Sequence, residues 1–158
     1  DLPLTDRERN FLAYWDSLHA GYDVPERSRI LPENLGPCLG WLHLLEVLDD
    51  GGDFLYRVHG TEASALTSTR YHLKRVSEAR EPFRSRGFKL YGLAAAQAQP
   101  VFLCESEDFG ESGHRTFSRV VVPFGSPGSK GPSHLLALLT NRVSPESQDT
   151  VVIGQPFA

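Results

Sequence analysis

The stretch Phe54-Leu55-Tyr56-Arg57-Val58-His59-Gly60-Thr61 decides how the rest of this chain is read. Alternation predicts a β-strand from Phe54 to His59, with Phe54, Tyr56 and Val58 on one face and Leu55, Arg57 and His59 on the other. Gly60 breaks that strand, and Thr61 is a good N-cap for a short helix from Glu62 to about Thr69. Just upstream, Asp49-Asp50-Gly51-Gly52-Asp53 is a hairpin signal, because glycine supplies the positive φ that such turns need. The apolar segment from Trp41 to Leu48 is then the expected partner strand.

Toward the N-terminus, Thr5-Asp6-Arg7-Glu8 reads as a capping box that starts a helix. Behind it Phe11, Trp15, Leu18 and Tyr22 recur at helical spacing, and Gly21 offers a stop. So much aromatic area must be covered by its own sheet or by a second copy of the helix. Phe11, Trp15 and Leu18 are therefore the candidate homodimer contacts. A Pro-punctuated connector from Val24 to Pro32 follows, and Pro32 opens a short helix through Leu35 to about Leu39.

Toward the C-terminus, the segment from Pro82 to Ala96 reads as the longest later helix, with Phe83, Gly87, Leu90, Tyr91 and Ala94 on one face. Three strands are expected after Gln99-Pro100: Val101 to Glu107, His114 to Phe124, and Ser133 to Arg142. Turn formers separate them, and the apolar run from Leu135 to Leu139 predicts a central strand. The order gives an α+β fold: one five-stranded antiparallel sheet, helices on one face and an added N-terminal helix. A single domain is expected over residues 1–143, with a polar tail over 144–158.

Composition bounds the function. The chain has 158 residues, 40% hydrophobic and 23% charged, enough for one domain with a real core. No apolar run nears the ~18 residues of a membrane span. Two cysteines, Cys38 and Cys104, are too few for a disulfide scaffold and fit two separate thiols in a reducing cytoplasm. A net charge of -4 argues against wholesale nucleic-acid binding. One basic stripe runs from Arg70 to Lys89; there Phe83, Phe88 and Tyr91 alternate with Arg84, Arg86 and Lys89, but Phe83 and Tyr91 fall on the predicted buried face.

The chain resembles a PAS domain, most closely a bacterial PAS-like family that opens with an aromatic helix. The resemblance rests on Phe11-Leu12-Ala13-Tyr14-Trp15, Pro25-Glu26-Arg27, the segment from Leu31 to Leu35, Tyr56-Arg57-Val58-His59-Gly60-Thr61 and Gln99-Pro100-Val101. It spans roughly residues 7 to 143. After Gly-Thr, such domains run through an apolar helix into a Gly-containing loop; Ser64-Ala65-Leu66-Thr67-Ser68-Thr69-Arg70 has no glycine, which implies a shortened or reshaped ligand-side helix. The resemblance implies a sensory or regulatory module, with a cavity between sheet and helices that takes haem, flavin or a small metabolite or is filled by side chains. No particular cofactor is implied. The candidate ligand-binding residues are Tyr56, Val58, His59, Leu66, Tyr91 and Cys104. A non-liganded interaction or dimerisation module is the alternative.

Catalytic and metal chemistry find little support in the sequence. His59 is expected to hydrogen-bond a neighbouring backbone group, and His72, His114 and His134 show no metal-ligand spacing. Neither cysteine stands in the segment that carries the reactive thiol of flavin photosensors of this kind. The hydroxyl run Ser64, Thr67, Ser68 and Thr69 lies near His59 in sequence, but no Gly-x-Ser-x-Gly elbow, Gly-x-Gly-x-x-Gly or phosphate loop is present. The expectation is a non-enzymatic module.

Overall fold

In the computed structural model, residues 4–19, 24–67, 70–108, 114–142 and 150–153 are described. The capping box forms as read: the Thr5 amide donates to Glu8 Oε2 at 2.8 Å, and the Glu8 amide donates to Thr5 Oγ1 at 3.2 Å. It starts α1 (Asp6–Ser17), which ends with Leu18 as its cap, short of Gly21. Strands β1 (Leu42–Leu48) and β2 (Asp53–His59) form the hairpin, joined by a turn in which Asp49, Asp50 and Gly51 all have positive φ. Gly60 then lets the chain reverse so tightly that a Cβ there would run into the Gly40 carbonyl. Helix α2 (Thr61–Thr67) follows, then a single turn at Val76–Glu78 and α3 (Phe83–Gln97).

The last strands are β3 (Val101–Asp108), β4 (His114–Phe124), β5 (His134–Arg142) and β6 (Thr150–Ile153). All pairings are antiparallel, and the order across the sheet is β2-β1-β5-β4-β3-β6. The five expected strands are present, and β5 is central as its continuous apolar run requires. Strand β6 is an addition. It pairs Thr150–Ile153 with Val101–Cys104, so the segment expected as a polar tail after residue 143 supplies part of the sheet.

The sheet is covered on both faces. Helix α3 and the Val76 turn bury Leu90, Tyr91, Ala94 and Val76 against Leu45, Tyr56, Val121 and Leu135 on the inner face. On the outer face, α1 buries Phe11, Leu12 and Trp15 against Phe102, Val120, Val122 and Leu138. The Trp15 indole N–H donates to the Pro123 carbonyl at 2.8 Å. Glu8 is wholly buried there, accepting from Ser118 Oγ and pairing with Arg142 Nη2 at 2.6 Å.

The N-terminal stripe is thus spent within the chain. Phe11 and Trp15, expected as dimer contacts, are 2% and 3% exposed against their own sheet, with Leu18 packed beside them. The physical reason is that β4 and β5 present a second apolar face, which α1 covers together with Leu35, Cys38 and Trp41 of the segment that follows.

A β-bulge corrects the facing of β2. Leu45 pairs with Tyr56 and Leu44 with Val58, so Arg57 is an extra residue and the alternation slips by one. His59, opposite His43, therefore joins Tyr56 on the inner face. Val58 turns outward and is 47% exposed.

Candidate functional site

The bulge brings together four rings that the sequence leaves scattered. His43 stacks on His59 with centroids 4.3 Å apart and planes 22° from parallel. Tyr71 stacks on Tyr56 at 5.6 Å, and edge contacts from His59 to Tyr71 and from His43 to Tyr56 close the ring of rings. The Tyr56 hydroxyl lies 3.3 Å from that of Tyr91, which reaches it from α3. Tyr71 is placed by the segment after α2, whose Leu73 N–H donates to the Tyr56 carbonyl while Tyr56 N–H donates to the Lys74 carbonyl.

The His59 ring has a defined orientation. Its Nδ1 lies 2.6 Å from Ser64 Oγ, and that hydroxyl donates to the Gly60 carbonyl at 2.9 Å. With the hydroxyl proton so used, Nδ1 carries the proton and donates to the serine oxygen. The contact holds a ring in place; it does not prime Ser64 as a nucleophile.

Electrostatically the cluster resists positive charge. Burial, followed by His59 and Arg119, holds His43 well below the ordinary imidazole range. Burial, followed by Arg119, Arg70 and His72, lowers His59 from 6.5 to about 4. Burial pushes the Tyr56 hydroxyl well up, so it stays neutral. Arg119 itself is buried on β4, and Glu105 on β3 lies 3.7 Å from it and 3.2 Å from Arg86 of α3.

Two polar atoms in the cluster have no hydrogen-bond partner among the described residues: His43 Nδ1 and the Tyr71 hydroxyl, on residues 3% and 7% exposed. Native interiors rarely leave such groups orphaned, since each forfeits its hydration without compensation.

Of the expected ligand-binding residues, Tyr56, His59 and Tyr91 meet in this cluster. Val58 does not, because of the bulge. Cys104 lies on the opposite face under α1, since strand alternation sends it there with Phe102. Leu66 packs into a small neighbouring group with Ala63, Phe117 and Leu139. Sequence reading missed His43, Tyr71, Arg119 and Glu105. Glu105 and Arg119 carried a signal, as charges set directly against apolar runs, Glu105 after Val101–Cys104 and Arg119 before Val120–Val122.

A surface pocket of about 550 Å³ opens elsewhere, between the β1–β2 turn, Gly92 to Ala96 of α3 and the Ser129–Pro132 loop. None of the four rings lines it. Among the described residues, no three His, Cys, Asp or Glu side chains are grouped to hold a metal ion, and no helix is long and apolar enough to cross a membrane.

Residues 5–81 match the family model of a PAS domain. The PAS match takes in α1, the hairpin, α2 and all four rings of the cluster, whereas α3 and β3 to β6 lie beyond it. No curated protein matches the chain.

Proposed function

We propose that this PAS domain is a sensory or regulatory module that binds a small molecule at the His43–Tyr56–His59–Tyr71 cluster, between sheet and helices, and signals through dimer or partner contacts. The observation that carries this reading is the pair of orphaned polar atoms, His43 Nδ1 and the Tyr71 hydroxyl, within an otherwise packed apolar face. A ligand supplies the partners that the described residues do not. The four-ring arrangement is built for recognition by stacking and hydrogen bonding, and Ser64, the nearest hydroxyl to an imidazole, donates to a backbone carbonyl.

The alternative, an interaction module with a filled core, draws support from the complete burial of Tyr91, Leu90 and Phe54. Its contact surface is then outside α1, among exposed apolar side chains such as Leu31, Leu39 and Val58.

Native mass spectrometry of the purified protein, with a thermal-shift screen of small metabolites, separates the two. A retained mass or a ligand-dependent rise in Tm supports the sensor. A clean apo mass with no rise across the screen overturns it.

A further inference from the structure

The pocket of about 550 Å³ beside the β1–β2 turn collects two features that packing alone does not explain. The first is Gly92, in the interior of α3. Glycine is the least favourable helix residue short of proline, because it has the most backbone freedom to lose. The other glycine of this helix has a packing reason, since a Cβ at Gly87 would come within 3.0 Å of Val76 Cγ1. Nothing lies within 4 Å of where a Cβ would stand at Gly92. Alanine would fit there and strengthen the helix, so what glycine preserves is the open floor of the pocket.

Asp50 is the second. It holds a left-handed backbone, with φ 53° and ψ 35°, in the turn that forms one wall. Asparagine or glycine meets that need without a charge. Its neighbour Asp49 reaches Arg75 at 3.5 Å, but among the described residues Asp50 has no hydrogen-bond or ion-pair partner for its carboxylate. On another wall, the loop between β4 and β5, the Lys130 ammonium likewise has none among the described residues. Val47, Ala95 and Pro132 add apolar surface to the same pocket.

An anion alone suits Lys130 but is repelled by Asp50, and a cation alone meets the reverse. A neutral body uses neither charge. A zwitterion uses both, each through a charge-assisted hydrogen bond. We propose that this pocket binds a short zwitterion of the amino-acid class, with its ammonium at Asp50, its carboxylate at Lys130 and an apolar side chain over Gly92. A volume of about 550 Å³ lies within the range of small-molecule sites and leaves room for a free amino acid or a dipeptide. None of the four rings lines the pocket, so this site stands or falls separately from the ring cluster.

Calorimetric titration of the intact chain tests this with alanyl-leucine, its N-acetyl form without the ammonium, its C-terminal amide without the carboxylate, and free leucine. Alanyl-leucine is expected to bind, and each capped form about fivefold more weakly, the modest loss that an exposed ion pair allows. Leucine binding as tightly as the dipeptide supports the same chemistry in a single residue. Equal binding of the dipeptide and both capped forms, or binding of none of the four, overturns the proposal. Asp50→Asn keeps a residue that the turn tolerates; it is expected to weaken alanyl-leucine about fivefold and to leave the N-acetyl form unchanged. Equal losses for both ligands mean that Asp50 does not meet the ammonium, and overturn that contact. Gly92→Leu fills the floor, so the Tm of the free protein is expected to hold or rise while alanyl-leucine affinity falls at least tenfold. Undiminished binding in that variant places the ligand elsewhere, the ring cluster included, and overturns the pocket.

Discussion

His43 and His59 stack face to face on adjacent strands, 4.3 Å apart, although each is held in its neutral form by burial and by Arg119. The stack ties the stability of the sheet to pH. An imidazole with a folded value of about 4 and an ordinary value of 6.5 binds protons more readily in the unfolded chain. Between those values, unfolding takes up protons, so stability falls as pH falls. Taken in full, that difference corresponds to about 3 kcal/mol. His59 is only half-buried, and screening by water reduces the loss to about 1–2 kcal/mol. His43 adds a loss of the same sign. Urea titrations from pH 7.5 to 4 check this: the loss begins near pH 6.5, and His59→Gln flattens the slope. A flat profile in the parent protein counts against the buried stack.

The Glu8 carboxylate is a second buried charge, facing Arg142 and Ser118 beneath α1. Glu8→Gln removes the charge that Arg142 faces, at an expected cost of about 3 kcal/mol. The exposed Asp6–Arg9 pair on the same helix is the control, and Asp6→Ala is expected to cost no more than about 0.5 kcal/mol. Equal effects in chemical denaturation would mean that α1 is not seated as described.

Gly60 lies where the turn out of β2 passes the Gly40 carbonyl. Gly60→Ala puts a methyl group into that backbone oxygen, so the chain must shift, and a loss of at least about 2 kcal/mol is expected. Gly36, with open space around it, should accept alanine almost without effect. Thermal melts of the two variants make the comparison.

The β2 bulge has a direct mutational signature. Val58 faces outward, so Val58→Ser is expected to change stability by no more than about 0.5 kcal/mol. Tyr56→Ala, two positions earlier, empties a buried site and is expected to cost about 4 kcal/mol. A severe Val58→Ser effect would restore the uninterrupted alternation and put Val58 back in the core.

The five main strands were legible because their periodicity and turn chemistry are local: Asp49–Gly51 makes the hairpin turn, and the run from Leu135 to Leu139 makes a central strand. The bulge was not legible, since Tyr-Arg-Val-His alternates well enough to hide it; only the pairing of Leu44 and Leu45 shows that Arg57 is extra. That one slip moved Val58 out of the candidate site. Cys104 was misplaced for a different reason, because an apolar strand buried on both faces gives no sign of which face looks toward which helix. Tyr71 sits in a segment with no period of its own, held by hydrogen bonds to the Tyr56 backbone. Strand β6 pairs with a strand far upstream, a long-range contact that local pattern does not carry.

The contact between Glu8 and Arg142 joins residues 134 positions apart, and its consequence is one of timing. The β1–β2 hairpin closes over the short turn from Asp49 to Gly52, but β1 waits for β5 as its other neighbour, and α1 has nothing to dock on until β4 and β5 have met. Loop-closure entropy makes such distant pairings the slow ones. The first helix in the chain is thus expected to be among the last elements to gain protection as it folds. Pulsed hydrogen exchange would show hairpin amides protected ahead of those in α1, and the reverse order would refute this sequence of events.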